Sequence, residues 1–246
     1  MKAVIFAAGV GSRLKPFTDF HPKALAPLAG RPILAHVLDR LIAAGADDIV
    51  VNVHHFASQI IGFLASNYPE VRTSDESGLL LDTAGGLAKI FRDGTFARTL
   101  TDTEPVIVHN ADIYTDFPIA DMIAAHGGGE ATVLVDPWRK SSRQLLFRSG
   151  YMEGWRNNST GIVRPSGLDV SGTTGAAFGG VHIISGSVLS DISDYVGAIR
   201  PVSITDYYID RCGEIPVRAF TPALPFRWFD IGTPEKLAMA EASVSH

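Results

Sequence analysis

The chain has 246 residues, a length at the upper limit of what one hydrophobic core usually serves, so we expect a single domain over residues 1–246. Apolar residues supply 46% and charged residues 19%, which excludes a disordered chain, and the scattered basic residues with a net charge of −5 argue against nucleic acid or an anionic membrane as the partner. The lone Cys212 cannot form an intramolecular disulfide and no apolar run approaches the roughly 20 residues of a membrane span, so we expect a cytoplasmic protein.

The first half of the chain alternates between strand and helix patterns. Residues 3–8 form a short, continuous apolar run that ends before a glycine, as in a strand buried on both faces. Residues 33–44 place their apolar side chains on one helical face, and residues 49–53 predict the next strand. The alternation continues with helices at 56–66, 83–91 and 118–126 and strands at 105–109 and 131–135. This order predicts an α/β fold with a mostly parallel sheet flanked by helices.

The pattern changes between residues 139 and 174. Short β-like segments at 144–148, 151–155 and 161–164 are separated by Ser, Asn and Gly, which predicts a small antiparallel β flap beside the main sheet. After this flap, the sequence predicts strands at 176–184 and 215–220 and helices at 203–212 and 234–242.

A glycine-rich turn follows the first strand, at residues 9–13 (GVGSR). Such turns bind phosphates because bare backbone N–H groups can approach an anion closely. The dinucleotide fingerprint would require glycine in place of Leu14, and the Walker sequence is absent. Arg13 and Lys23 are cations suited to neutralising a triphosphate. The alternative is an ordinary tight turn with solvated basic side chains.

Two aspartates are candidate metal ligands. Asp112 follows the strand predicted at 105–109, where α/β sheets place their ligands, and Asp230 follows an aromatic segment that should bury it. Carboxylates together with substrate phosphates form a typical Mg²⁺ site. A turn or helix-capping role is the alternative for Asp112. For Asp230 that role is weaker, because Thr233 is the better-placed cap before Pro234.

Small residues at the start of the third predicted helix, residues 82–86 (DTAGG), form a further candidate motif besides the glycine turn and the two aspartates. They would let a base or ribose lie flat against the backbone, although a simple loop-to-helix turn would have the same composition.

Taken in order, the segments 9–13, 22–23, 82–86, 110–112 and 228–234 resemble the motifs of the sugar-1-phosphate nucleotidylyltransferases. The resemblance covers essentially the whole chain. It implies a Rossmann-like (GT-A-like) fold, an NTP and a sugar 1-phosphate as partners, and Mg²⁺ held by Asp112 and Asp230. It also implies that Arg13 and Lys23 hold the triphosphate. The implied backbone contacts to the nucleotide are at Ala8, Gly9, Gly11, Thr83 and Gly85.

The sequence departs from the family pattern at the positions that, in the family, select the base and the sugar. Many members carry Gln near residue 76 to bind uracil or thymine, whereas this chain has Glu76, which we expect to contact the base. The usual Glu-Lys-Pro of the sugar half is missing, and residues 163–165 (VRP) are its nearest counterpart, which makes Arg164 the candidate for the sugar phosphate.

The substrates are expected from resemblance alone. The motif order and length most resemble the N-acetylmuramate-1-phosphate uridylyltransferases, with mannose-1-phosphate guanylyltransferases as the alternative, because a carboxylate at Glu76 could pair with guanine. The chain ends soon after Asp230, so no C-terminal acyltransferase domain is expected.

Two other classes remain as rivals. A GT-A glycosyltransferase would typically carry Asp-x-Asp where residues 110–112 are Asn-Ala-Asp, and a nucleotide-sensing subunit without activity could lose the carboxylates that are retained here. The sequence does not indicate an oligomeric state.

Overall fold

The computed structural model describes residues 1–96, 98–223 and 225–244. The seven helices of these residues are α1 (Ile33–Ala43), α2 (Ala57–Asn67), α3 (Asp82–Arg92), α4 (Ile119–Ala125), α5 (Gly186–Val196), α6 (Ile204–Arg211) and α7 (Pro234–Val244). Short 3₁₀ turns lie at Phe17–Asp19 and Lys23–Leu25. The strands of the first half are β1 (Lys2–Phe6), β2 (Pro27–Leu28), β3 (Arg31–Pro32), β4 (Asp48–Val53), β5 (Arg72–Asp75), β6 (Pro105–Asn110) and β7 (Ile113–Thr115). Those of the second half are β8 (Ala131–Asp136), β9 (Arg143–Arg148), β10 (Tyr151–Asn157), β11 (Val163–Arg164), β12 (Thr174–Ser185), β13 (Val217–Phe220) and β14 (Trp228–Asp230).

One sheet of ten strands organises the described residues. Its order is β11-β10-β13-β8-β12-β6-β1-β4-β5, with β9 pairing with β10 and β12. Strands β6, β1, β4 and β5 are parallel, and β8 and β13 run in the same direction. The long β12 lies antiparallel between β6 and β8. The sheet is therefore mixed.

We expected a mostly parallel sheet, and the sheet is mixed instead. The difference has a physical reason. Strand β12 is buried along most of its length, and a strand buried on both faces has the same apolar pattern in either direction. The predicted flap also differs from expectation. Strands β9, β10 and β11 are antiparallel as predicted, but they hydrogen-bond into the main sheet through β12 and β13 and so extend it.

Helices cover both faces of the sheet. One hydrophobic cluster joins α3, α5 and α6 to one face, and a second joins α1, α2 and α4 to the other. A smaller third cluster joins α7 to the segment that follows β1, with Leu14, Leu28, Ile33 and Ile231 at its centre. None of the described helices combines the length and the apolar character that crossing a membrane would require.

The register of the parallel strands fixes one edge of the sheet. Phe6 at the end of β1 pairs with Asn52 on one side and with Asn110 on the other. Three strands therefore reach their carboxyl ends in one row, which is where open α/β sheets bind ligands.

Candidate functional site

A cavity of about 490 Å³ opens at this edge of the sheet. The turn after β1, the start of α3 and the end of β6 form its walls. Its lining residues are Phe6, Ala7, Ala8, Gly9, Lys23, Ala24, Asn52, Leu80, Asp82, Thr83, Asn110, Ala111, Asp112 and Pro201. Of the predicted site residues, the structure brings Ala8, Gly9, Lys23, Thr83 and Asp112 to this one surface.

Gly11 shapes the turn without lining the cavity. Its φ of +68° is a conformation that favours glycine, and an added Cβ would lie 2.9 Å from Thr18 and 3.0 Å from Lys23 Cβ. Thr18 Oγ1 donates to the Gly11 carbonyl at 2.9 Å. Glycine at this position therefore allows the turn to pack directly on the Lys23 stem.

Lys23 bridges the two candidate metal ligands. Its ammonium donates a hydrogen bond to Asp112 Oδ2 and lies 3.8 Å from Asp230 Oδ1. The Lys23 side chain is 10% exposed, against 33% for Asp112 and 21% for Asp230. Two carboxylates from distant parts of the chain thus converge on one buried cation.

The carboxylate of Asp230 is held in place from several sides. Oδ1 accepts from the Gly232 backbone N–H at 2.8 Å, and Oδ2 accepts from Lys236 Nζ at 2.6 Å. Burial acts to raise the pKa of Asp230, but the Lys236 hydrogen bond and the charges of Lys23 and Lys236 outweigh it, so that the pKa lies below its ordinary value. Arg13 reaches the same turn, because a Cβ added to Gly232 would lie 3.4 Å from Arg13 Nη2.

A two-stranded ribbon brings Asp112 and Asp230 together. Strand β7 begins directly after Asp112, and β14 pairs with it antiparallel so that Asp230 lies opposite Ile113. The Ile231 N–H donates to the Asp112 carbonyl at 3.0 Å, which closes the ribbon at the cavity. Backbone pairing thus places Asp112 and Asp230 beside each other at the end of the ribbon.

Glu76 lies beneath the cavity wall, with 2% of its surface exposed. Oε1 accepts from Asn52 Nδ2 at 2.9 Å, and Oε2 accepts from the Leu81 N–H at 3.1 Å. Asn52 Oδ1 in turn accepts from the Ala7 N–H at 2.7 Å. Glu76 therefore does not line the cavity, and both of its carboxylate oxygens support the cavity wall through Asn52 and the Leu81 N–H.

Gly85 does not line the cavity either. It is buried in the first turn of α3, where an added Cβ would lie 2.4 Å from the Arg200 carbonyl oxygen. The N–H groups of Ala84 and Gly85 donate to the Val202 carbonyl, while Thr83 Oγ1 accepts from the Ile204 N–H at 2.8 Å. Thr83 lines the cavity, whereas Gly85 lets α3 pack closely against the 200–204 segment.

Arg164 lies at a second cavity of about 430 Å³ between the flap and α6. Its guanidinium is bound by Asp206 at 2.5 Å and by Asp210 at 3.2 Å. The structure therefore does not join Arg164 to the cluster around Lys23.

Sequence reasoning missed Asn52, Leu80 and Pro201, which line the first cavity, whereas Asp82 and Asn110 lie in the segments 82–86 and 110–112 that it had singled out. A signal for Asn52 was present, because it is a polar residue within the otherwise apolar strand β4. Asp82 is marked in the structure by a φ of +57°.

A glycine turn, a lysine and two convergent carboxylates at the carboxyl edge of an α/β sheet are typical of proteins that bind nucleotide phosphates. The family model described as the MobA-like NTP transferase domain matches residues 3–161, more than half of the chain. The chain therefore belongs to this family, and the predicted resemblance to the sugar-1-phosphate nucleotidylyltransferases is confirmed by the names of its relatives.

Relatives of the chain include proteins named for two different reactions. The probable mannose-1-phosphate guanylyltransferase 2 of Arabidopsis thaliana is 31% identical over 95% of this chain, and the chain spans 62% of the length of that protein. The N-acetylmuramate alpha-1-phosphate uridylyltransferase of Caulobacter vibrioides is 28% identical over 99% of this chain and 96% of that one. Among solved structures, HddC from Yersinia pseudotuberculosis complexed with GMP-PN is similar in fold, with a TM-score of 0.71, 20% identity and 99% of each chain covered.

Proposed function

We propose that the chain transfers a nucleotidyl group from a nucleoside triphosphate to a sugar 1-phosphate and releases pyrophosphate. The contact of one Lys23 ammonium with the carboxylates of Asp112 and Asp230 carries this proposal. It brings a cation and two metal-type ligands together at a cavity that is large enough for a nucleotide and is bordered by a glycine turn.

In the proposed reaction, a phosphate oxygen of the sugar 1-phosphate attacks the α-phosphorus of the triphosphate in line. A new P–O bond forms, and the bond from the α-phosphorus to the bridging oxygen breaks as pyrophosphate leaves. The attacking oxygen already carries negative charge, so no side chain has to remove a proton. Lys23 and Arg13 would hold the phosphates and offset the charge that develops on them.

Magnesium fits the donor set. Among the described residues, no group of three or more His, Cys, Asp or Glu side chains could hold a metal by itself. Two carboxylates that converge and leave the remaining positions to phosphate and water match the way Mg²⁺ is bound. Asp112 and Asp230 would hold the ion, and when bound it would neutralise charge on the phosphate oxygens.

The sheet supports a GT-A-like description. Eight of its ten strands share one direction, and the long β12, inserted between β6 and β8, and β10 of the flap run the opposite way. The cytoplasmic location expected from the single cysteine stays a prediction.

For the substrates, we favour UTP with N-acetylmuramate 1-phosphate. The burial of Glu76 supports this choice, because the carboxylate that was the reason to expect guanine already accepts hydrogen bonds at both oxygens. The relative from Caulobacter vibrioides bears the corresponding name and matches this chain along almost its full length. GTP with mannose 1-phosphate is the second candidate, favoured by the 31% identity to the plant guanylyltransferase.

An assay of pyrophosphate release tests both the proposed reaction and the proposed substrates. The purified chain is assayed with Mg²⁺ and each of ATP, GTP, UTP and dTTP. The acceptors are the 1-phosphates of N-acetylmuramate, N-acetylglucosamine, mannose and glucose. We expect the highest kcat/KM for UTP with N-acetylmuramate 1-phosphate. A preference for GTP with mannose 1-phosphate would overturn the substrate choice, and no release with any pair would overturn the reaction.

A further inference from the structure

The second cavity is bordered by three arginines, Arg139, Arg143 and Arg164, whose electrostatic situations differ. Arg164 is neutralised by Asp206 and Asp210. Arg143 is exposed, and Arg139 is half-buried. In the part of the chain that the structure describes, neither Arg139 nor Arg143 has a carboxylate within salt-bridge distance.

Arg139 is a half-buried cation with no carboxylate partner among the described residues. Nη2 donates to the Phe178 carbonyl at 2.6 Å, and the guanidinium carbon lies 3.8 Å from the centre of the Trp228 ring. Nε is buried without a hydrogen-bond partner, and Nη1 makes no hydrogen bond to the described residues. Burial lowers the pKa of Arg139, with Asp136 and Asp230 acting in the opposite direction. An anion that bound here would stabilise this half-buried, unpaired guanidinium.

The position of Arg139 indicates which anion would bind to it. Trp228, on which it stacks, lies two residues before Asp230 on the short strand β14. Alternate residues of a strand share a face, so Trp228 and the Asp230 carboxylate lie on the same side of β14. Arg139 thus borders the second cavity on the side of the candidate metal ligand. In a sugar 1-phosphate, the group that must approach the reacting phosphorus is the phosphate.

We propose that Arg139, and not Arg164, binds the phosphate of the sugar 1-phosphate. This inference rests on the proposed function and assigns the acceptor phosphate to a residue of the flap. The planar guanidinium is rigidly placed by Trp228 and the Phe178 carbonyl, and its Nη1 donors are free for a charge-assisted hydrogen bond to a phosphate oxygen. Arg164, paired with two aspartates of α6, fastens the flap to that helix.

The test compares Arg139→Gln with the wild type and with Arg148→Gln. Arg148 is a matched control, because it lies on the flap and binds Glu153 but does not line the cavity. The acceptor KM is measured for each sugar 1-phosphate that the wild type uses, together with the triphosphate KM and the inhibition constant of the corresponding sugar without phosphate. Thermal unfolding and triphosphate affinity report whether each variant is folded.

Arg139→Gln should raise the acceptor KM about tenfold or more, the range for losing a charge-assisted hydrogen bond, for every sugar 1-phosphate. The triphosphate KM and the inhibition constant of the free sugar should stay within about twofold, and Arg148→Gln should behave as the wild type. Arg139→Lys, which retains the charge, should lie between these values and keeps the test informative if the Gln variant is unstable.

Three results would overturn the assignment. They are an unchanged acceptor KM, an equal rise in the triphosphate KM, and a rise confined to N-acetylmuramate 1-phosphate, which would place the carboxylate of that sugar on Arg139. A wild type that releases no pyrophosphate would overturn the proposed function instead. The assignment would then be tested by calorimetric binding of mannose 1-phosphate, and equal affinity in wild type and Arg139→Gln would contradict it.

Discussion

The Lys23 ammonium donates a hydrogen bond to Asp112 Oδ2 although 89 residues separate the two in the chain. The same ammonium lies 3.8 Å from Asp230 Oδ1. These charges stabilise one another, and because Lys23 lies near both carboxylates and Asp230 also binds Lys236, the loss of one carboxylate still leaves Lys23 with an anionic partner. The members of the cluster are therefore separated best by their different effects on turnover.

Lys23→Met should lower kcat on the order of a hundredfold and change the triphosphate KM by less than about threefold, if the ammonium chiefly offsets charge in the transition state. Steady-state pyrophosphate release measures both constants. Lys15→Met is the control, because Lys15 lies in the same segment but is 63% exposed and paired with Asp19. A raised KM with normal kcat would make Lys23 a simple binding residue.

Asp112→Asn and Asp230→Asn should each abolish turnover while the protein stays folded. Each amide keeps the shape of the side chain but removes the charge that a hard cation requires. Mn²⁺ binding followed by electron paramagnetic resonance should weaken in both variants, and circular dichroism should show wild-type melting within a few degrees. Turnover near the wild-type rate in both variants would exclude the metal assignment.

Glu76→Gln should destabilise the protein by about 1–3 kcal/mol, the cost of an unsatisfied buried donor. Glutamine offers one oxygen, so either Asn52 Nδ2 or the Leu81 N–H would face a donor. Asn52 cannot turn over to compensate, since its oxygen accepts from the Ala7 N–H. Urea unfolding measures the loss, and the exposed Glu70→Gln is the matched control.

Stability should fall as the pH is lowered from 7 to 5. Burial, with a contribution from His109, lowers the pKa of His182 to about 3, below the roughly 6.5 of an unfolded histidine. The unfolded chain then binds a proton that the folded chain does not, so the contribution is full above about pH 6.5 and is lost as the pH falls toward 3. His182 alone should account for about 2 kcal/mol between pH 7 and 5.

Urea unfolding of His182→Phe at pH 7, 6 and 5 checks this sign. The aromatic ring retains the packing against Phe178 and Tyr208 but cannot take up a proton. The variant should be less stable than the wild type at pH 7, because the Tyr208 hydroxyl loses the ring nitrogen 2.5 Å away, yet its stability should vary less with pH. Equal slopes in the two proteins would contradict the prediction.

Local patterns predicted most elements because burial repeats with the period of each structure. Helix α1, predicted over 33–44, spans Ile33–Ala43, and α6, predicted over 203–212, spans Ile204–Arg211, with Ser203 as a cap that accepts from the Thr205 N–H. Helix α5 was missed, although Val188, Leu189 and Ile192 have helical spacing, because it begins with Gly-Ser directly after a strand. Helices that begin with turn-forming residues are difficult to predict from local residue patterns.

Tertiary pairing could not be predicted in the same way. The approach of Asp112 and Asp230 depends on the pairing of β7 with β14, which joins residues more than a hundred positions apart. Arg139, which has no carboxylate partner among the described residues, and Arg164, which has two, look alike in the sequence. Only the aspartates of α6 and the Trp228 ring distinguish them.

The three-residue strand β14 also limits how the length of the chain can vary. Trp228 and Asp230 lie on one face of the strand, and Phe229 between them packs into the cluster under α7. A deletion that moved this strand by one residue would turn Phe229 toward the site and both of its neighbours away from it. Insertions and deletions in homologous chains should therefore fall within residues 221–227 and spare residues 228–232. Alignment gaps within 228–232 would identify homologues that have lost the site.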